Sequence, residues 1–184
     1  FYPQIHKDAL IIDCRYNGGG FVSQMIMDRL ARELWAYSKP RRGKTDTYPQ
    51  VVQVGPKVLL TNYFSGSDGD IGPETFRIKG LGPIIGTRSW GGVIGIRADK
   101  EFIDGGMSTQ PEFAWLDPNR GWDLENVGVK PDIEIDILPS DYAAGKDPQL
   151  DTGIQYLMDQ LEKNPPKKLN VPPYPDKSLK VSDR

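Results

Sequence analysis

The 184-residue sequence contains few of the features that directly indicate a disulfide-rich, membrane or nucleic-acid-binding protein. Its single cysteine, Cys14, can form no internal disulfide, and in the apolar run ALIIDC it is predicted to pack as a small buried hydrophobe. No apolar run approaches the roughly 20 residues that a membrane-spanning helix needs. The formal net charge of -2 provides no general attraction to nucleic acid or to an anionic membrane. We therefore predict a globular protein with neither kind of partner, and nothing indicates an oxidising compartment.

Histidine is equally scarce. The one histidine, His6, occurs in YPQIHKD and is predicted to lie on the surface. There is no Cys/His cluster and no H-x-x-x-H spacing, so the sequence predicts no metal site. The glycine-rich stretches lack both the G-x-G-x-x-G spacing and the P-loop lysine, which argues against a dinucleotide or triphosphate cofactor. We predict a protein that uses no cofactor.

The order of apolar segments predicts an α/β fold with at least partly parallel strand pairing. Short continuous apolar runs indicate buried strands, and apolar residues at helical spacing indicate helices packed on one side. On these criteria we predict strands at 9–14, 51–54, 57–63, 82–86 and 132–137, helices at 21–37, 70–79 and 148–164, a hairpin at 101–109 and an exposed loop at 38–50.

The chain length suits one domain with a tail. We place the domain at residues 1–165. Residues 166–184 are rich in proline and lysine, and we expect them to be an extended or disordered arm, or a strap over a partner subunit. Because the sequence starts at Phe1 with no initial Met and no signal-type segment, we expect it to be a fragment of a longer chain.

Two glycine-rich turns are the strongest candidates for chemistry. NGGG at 17–20 and GSDG at 66–69 each follow an apolar strand and precede a helical segment. Successive backbone N–H groups in such turns, close to a helix N-terminus, stabilise developing negative charge. Ser67 would then be a nucleophile raised above the end of a strand. The alternative is that both are plain strand-to-helix turns, since Gly, Ser, Asn and Asp are ordinary turn residues.

A nucleophilic serine needs a general base and a group that orients this base. His6 is a poor candidate, and Lys79 and Lys100 both occur in charged, hydrated surroundings. Glu125, in DLENVGVKPD, is a candidate for an orienting or polarising acid, although on spacing alone it could equally be a solvated loop carboxylate. The residues by themselves therefore supply a nucleophile without an evident base.

Four segments together resemble one known family: LIIDCRYNGGGF, GSDGDI, IGTRSWGGVIGI and ENVGVKPDIEI. In this order they are similar to the C-terminal catalytic part of tricorn-type proteases, within the clan of tail-specific, or C-terminal processing, serine peptidases. The resemblance covers about residues 1–165. It implies the ClpP/crotonase-like spiral α/β fold, with a central mostly parallel sheet flanked by helices.

The resemblance also implies roles for individual residues. Ser67 matches the nucleophile, and the backbone N–H groups of Asp68 and Gly20 match the oxyanion donors. Glu125 matches the glutamate that completes the catalytic group. In this family the histidine base lies in an upstream helical subdomain that these 184 residues do not contain, so we expect the isolated chain to be inactive.

Tail-specific proteases of bacteria and plastids instead use a Ser–Lys dyad. Gly92 stands where that lysine would be, so the histidine-dependent tricorn branch fits better, and Trp90 is predicted to be a packing residue under the site. The resemblance further implies a cytoplasmic homo-oligomer, a hexamer, that shortens peptide substrates and passes the products to aminopeptidases.

Two other functions stay open at this point. The domain could be a non-catalytic peptide-binding or assembly module on the same fold, since no base is evident. It could also be a crotonase-like acyl-thioester enzyme that polarises a carbonyl with the two glycine turns, although that reading leaves the serine-centred motif unexplained.

Overall fold

The computed structural model describes residues 1–97, 101–167 and 169–177. The chain begins with a short 3-10 helix, Tyr2–Gln4, and then alternates strands and helices. The strands are β1 (Leu10–Asp13), β2 (Ala36–Ser38), β3 (Asp46–Tyr48), β4 (Lys57–Thr61), β5 (Ile84–Gly86), β6 (Gly95–Arg97), β7 (Gln110–Phe113) and β8 (Ile133–Glu134). The helices are α1 (Ser23–Leu30), α2 (Asp68–Ile78), α3 (Pro139–Ala143) and α4 (Pro148–Lys163).

A parallel four-stranded sheet in the order β1–β4–β5–β8 forms the centre of the molecule. Parallel neighbours need a crossover connection, and α2 provides it between β4 and β5. All five residues of β4 are buried, as expected for a central strand that is covered on both faces. Because the strands are parallel, the turns after β1 and after β4 lie at the same edge of the sheet.

The core has a layer on each face of the sheet. Helices α1 and α2 cover one face, where Met27 and Phe76 pack with Leu59. Helix α4 covers the other, where Leu157 packs with Val58. This arrangement confirms the predicted α/β class with a central, mostly parallel sheet flanked by helices.

Several local predictions are also confirmed. Helix α4 begins at the predicted Asp147-Pro148 pair, and the Asp147 carboxylate accepts a hydrogen bond from Leu150 N–H at 3.0 Å. Cys14, predicted to be buried, is half-buried and packs against the core, and burial raises the pKa of its thiol to about 12. The predicted hairpin at 101–109 has its turn at Gly105, with a single bridge between Glu101 and Met107.

Four predicted elements differ from the structure. The helix predicted at 21–37 ends at Leu30, because the following segment turns into β2 and pairs with β3, beginning with Trp35 N–H donating to Tyr48 O. The predicted loop at 38–50 therefore contains a strand. The predicted strand at 51–54 is irregular, and the one at 132–137 contracts to Ile133–Glu134, since its neighbour β5 ends at Gly86.

Within the described ranges, no helix combines the length and the apolar character that crossing a bilayer requires. Lys100, one of the lysines considered as a base, lies outside the described residues.

Candidate active site

The two glycine-rich turns contact each other at the carboxyl edge of the sheet. Gly66 N–H donates to the carbonyl of Asn17 at 2.9 Å. A Cβ atom on Gly69 would lie 2.2 Å from that same carbonyl oxygen, and one on Gly19 would lie 2.8 Å from Cβ of Ser67. Glycine is therefore needed at these two positions for the turns to pack against each other.

Ser67 occupies the tight turn between β4 and α2. It is the N-cap of α2 and has φ 55° and ψ -116°, a strained conformation for a residue with a side chain. An N-cap serine normally uses its hydroxyl to accept a hydrogen bond from the first helical turn, but the Ser67 hydroxyl makes no such bond. The hydroxyl thus takes no part in the helix cap, and the strand–turn–helix arrangement is the one that presents the nucleophile in known serine hydrolases.

Ser67 opens onto a cleft of about 760 Å³. Gly20 and Glu125 line the same cleft, so three of the four residues proposed from sequence are brought together. The remaining walls are largely apolar and include Phe21, Ile71, Ile96, Phe113 and Trp115. The cleft is therefore suited to a substrate with apolar side chains and a polar reacting group.

Asp68 follows Ser67 directly but does not line this cleft, and its side chain contacts the start of α1. It is the first residue of α2, and first-turn N–H groups have no acceptor within their own helix. Its buried carboxylate accepts hydrogen bonds from Val22 N–H at 3.0 Å, from Ser23 N–H at 2.9 Å and from the Ser23 hydroxyl. Asp68 thus fixes the start of α1 with its side chain and leaves its N–H at the positive end of the α2 dipole.

Glu125 is half-buried and tightly held. Its Oε2 accepts hydrogen bonds from Val93 N–H at 2.7 Å and from Ile94 N–H at 2.9 Å. Next to it, Asn126 N–H donates to Gly91 O at 2.7 Å. Glu125 therefore anchors the segment that forms one wall of the cleft.

Neither His6 nor Lys79 lies beside Ser67. His6 is exposed before β1, at the other edge of the sheet, and the five-residue strand β4 is about 16 Å long. Lys79 follows the C-terminal end of α2, about 16 Å from its start, and forms an ion pair with Asp28 at 3.2 Å. In the described part of the chain, no histidine or lysine lines the cleft.

The position of Gly92 also argues against a lysine base beside Ser67. A Cβ atom there would lie 2.6 Å from the Trp90 ring, so a lysine could not be accommodated without moving Trp90. Trp90 itself differs from its prediction. It packs over Gly66 and Gly92, but at the flank of the cleft with 63% of its surface exposed, and so it does not lie under the site.

Sequence reasoning missed two buried polar residues beneath the cleft, Asp70 and Ser89. Asp70 Oδ1 accepts a hydrogen bond from Gly91 N–H at 2.8 Å, and the Ser89 hydroxyl accepts one from Val129 N–H at 2.7 Å. Burial raises the pKa of the Asp70 carboxyl, an effect opposed by the nearby Ser89 hydroxyl and backbone N–H groups. The available signal was the Ser67-x-x-Asp70 spacing, which is typical of a capping box.

Over the residues that the structure covers, no group of His, Cys, Asp or Glu side chains is arranged to hold a metal ion.

Comparison with known proteins identifies the family. The model of peptidase family S41 matches residues 3–135. The chain is 49% identical to the tricorn protease of Thermoplasma acidophilum over 161 residues, which are 88% of this chain and 15% of that protein. It is 45% identical over 162 residues to a putative tricorn-like protease C-terminal subunit of Sulfurisphaera tokodaii, covering 88% of this chain and 19% of the relative.

A solved structure gives the same result. The crystal structure of the tricorn protease superposes with a TM-score of 0.80 at 48% identity, over 84% of this chain and 15% of that one. The chain therefore spans less than a fifth of the length of these relatives. The predicted resemblance is confirmed: this chain belongs to peptidase family S41 and is strongly similar to part of the tricorn proteases.

Proposed function

We propose that this chain is the nucleophile-bearing domain of a serine endopeptidase that cleaves peptides through Ser67. The observation that carries the proposal is the conformation of Ser67. Its hydroxyl is free of the helix cap and opens onto a cleft that also contains Gly20 and Glu125. Membership of peptidase family S41 supports the same reaction class.

In this mechanism Ser67 Oγ attacks the carbonyl carbon of the scissile peptide bond. The N–H groups of Asp68 and Gly20 stabilise the negative charge on the carbonyl oxygen, and each such donor contributes roughly 3 kcal/mol to transition-state stabilisation. Gly20 has φ 138° and open space where a Cβ would be, which favours close approach of the substrate. Glu125 orders the wall of the cleft and positions the group that acts on the Ser67 proton.

The general base is a histidine from a part of the protein outside these 184 residues. Two observations support this step: the position of His6 at the far edge of the sheet, and the small fraction of each relative that the chain spans. In this proposal residues 1–165 are the catalytic domain and 166–184 are a tail, of which residue 168 and residues 178–184 lie outside the described residues. Part of the tail lies on the β2–β3 hairpin, where the Tyr174 hydroxyl donates to the carbonyls of Lys39 and Pro40.

The full protein would act on peptide substrates as a cytoplasmic homo-oligomer, a hexamer in the family pattern, and pass its products to aminopeptidases. These properties come from the similarity to tricorn proteases, and the exposed apolar side chains around the cleft are compatible with further protein contacts.

A second function is favoured by one observation, the lack of a histidine or lysine in the described cleft. Without a base, the domain would bind peptides or assemble with other subunits and perform no catalysis.

Fluorophosphonate labelling followed by intact mass measurement separates the two functions. We would label the 184-residue chain and a longer version extended by its native upstream sequence, each with Ser67→Ala as the control. Label on Ser67 in the longer version alone is the expected result. Label on the short chain would place the base within it, and absence of label from both would favour the binding module.

A further inference from the structure

Asp70 is a buried charge that the proposed reaction does not use. It lies on α2 three residues after Ser67, and none of its surface is exposed to solvent. One of its oxygens, Oδ1, accepts the Gly91 N–H, and within the described residues the other, Oδ2, makes no hydrogen bond. Burying a carboxylate carries a desolvation cost, so stability alone does not explain its presence.

The segment that Asp70 contacts also contacts the nucleophile. Ser67 N–H donates to the carbonyl of Gly92 at 3.0 Å, directly after the residue that Asp70 holds. On the N-terminal side of Gly91, Trp90 N–H donates to Ser65 O at 2.8 Å. Residues 90–92 are thus joined to the Ser67 turn on both sides, and Asp70 supplies a side-chain contact between them.

Asp70 also contacts the Ser67 turn through its own backbone, since Asp70 N–H donates to Ser67 O at 2.8 Å. In an ordinary capping box the N-cap hydroxyl and the acid three residues later bond to each other's backbone N–H groups. Here only the acid is engaged, and its bond runs to Gly91. The serine hydroxyl is left free.

We propose that Asp70 is a positioning residue, whose carboxylate holds Gly91 so that the Gly92 carbonyl accepts the Ser67 N–H. This pair of contacts maintains the positive-φ conformation that frees the Ser67 hydroxyl. The inference rests on the proposed function of Ser67 as the nucleophile.

The chemistry of the surroundings explains why a carboxylate is needed. The groups that face Asp70 are donors: the N–H groups of Gly91, Gly92 and Ser67, and the Ser89 hydroxyl. A carboxylate only accepts hydrogen bonds, whereas an asparagine of the same size would turn an NH₂ group toward some of these donors. An asparagine can keep its oxygen toward Gly91, but its NH₂ group then faces the remaining donors, so Asp70→Asn should weaken the hold on Gly91 although it preserves the shape of the side chain.

The test compares Asp70→Asn with Glu74→Gln, a matched control on the same helix. Glu74 is also buried, but its carboxylate pairs with Arg77 and Arg120, away from the cleft. One measurement is hydrogen exchange of the Gly91 amide by NMR in the 184-residue chain. The other is the rate of fluorophosphonate labelling of Ser67 in the longer protein.

For Asp70→Asn we expect exchange of the Gly91 amide to accelerate and labelling to slow, each by about 10- to 100-fold, the range for loss of a hydrogen bond to a charged group. Glu74→Gln should leave both rates at the wild-type value. Wild-type exchange and labelling in Asp70→Asn would overturn the inference and make Asp70 a core residue only. If the wild-type longer protein is not labelled, the proposed function fails, while the exchange measurement still tests the contact.

A measurement on the wild-type chain covers the case in which Asp70→Asn does not fold. The Gly91 amide proton should change its chemical shift as the carboxylate bonded to it titrates, and burial raises the pKa of that carboxyl above its value in the unfolded chain. A Gly91 shift with a midpoint above that of an aspartate in the unfolded chain supports the contact. A Gly91 amide that does not titrate would exclude it.

Discussion

The centre of the parallel sheet and the polar cluster at its carboxyl edge both contain fully buried side chains, but of different kinds. In the middle of β4 and in β5 the buried side chains are apolar, with Leu59 and Ile85 fully inaccessible. At the carboxyl edge, Asp70 and Ser89 are just as inaccessible. There each polar side chain bonds to the backbone of a different turn, as Ser89 does to Val129.

The apolar side chains of the sheet contribute mainly to stability, whereas the polar contacts at the carboxyl edge mainly fix the geometry of the turns. Apolar burial is non-directional and stabilises the domain in proportion to area. A polar contact to a backbone group instead fixes where that backbone lies, at a cost in desolvation. Substitutions in the sheet should therefore lower stability, whereas substitutions at the carboxyl edge should lower the reactivity of Ser67.

The largest expected effect is that of Ser67→Ala in the longer, active protein. Peptidase activity should fall by about 10⁶-fold, because nucleophile and base act as a unit. The free energy of unfolding should change by less than about 0.5 kcal/mol, since the hydroxyl makes no cap bond. Peptide hydrolysis and urea unfolding measure the two quantities. A large loss of stability in Ser67→Ala would contradict the prediction that substitutions at the carboxyl edge lower reactivity without lowering stability.

The opposite result is expected for Phe76→Ala on the same helix. Phe76 is fully buried against the sheet, so its removal should lower the free energy of unfolding by about 3–5 kcal/mol. Labelling of Ser67 in the fraction that stays folded should keep its wild-type rate. Urea unfolding and labelling at low temperature measure the two quantities. Slow labelling of folded Phe76→Ala would mean that the core itself determines the geometry of the site.

Gly19→Ala should have a moderate effect on both the stability of the domain and the reactivity of Ser67. The new Cβ would lie 2.8 Å from Cβ of Ser67, which forces the turns apart and should slow labelling about 100-fold, the cost of an ångström-scale displacement. Gly145→Ala is the control, because Gly145 also has positive φ but open space around a Cβ. Equal labelling rates in the two variants would contradict the contact between the turns.

The smallest effect concerns pH. Burial raises the pKa of Asp70 above its value in the unfolded chain, so the folded state binds the proton more tightly and gains stability as the pH falls. Relative to Asp70→Asn, the wild type should therefore gain stability as the pH falls from 7 to 4. Thermal unfolding of both proteins at several pH values measures this difference. If the wild type loses stability relative to Asp70→Asn as the pH falls, burial does not raise the pKa of Asp70.

Much of the site was predictable because its signals are local. The strand-to-turn-to-helix order around Ser67 and the cap at Asp147 depend on residues close in sequence, and both are present in the structure. The end of α1 was not predictable in this way. Leu34 and Tyr37 continue the helical spacing, yet pairing of Ala36–Ser38 with Asp46–Tyr48 replaces the helix there.

The sequence by itself determined the α/β class, the family and the identity of the candidate nucleophile, since apolar runs, turn residues and motifs act over short distances along the chain. The tertiary structure decided which turns meet: Asn17 against Gly66, Asp70 against Gly91, and Glu125 against Val93. These contacts join residues 21 to 49 positions apart. Their distances depend on the register of the parallel sheet and on the packing of α1 and α2, which no local pattern encodes.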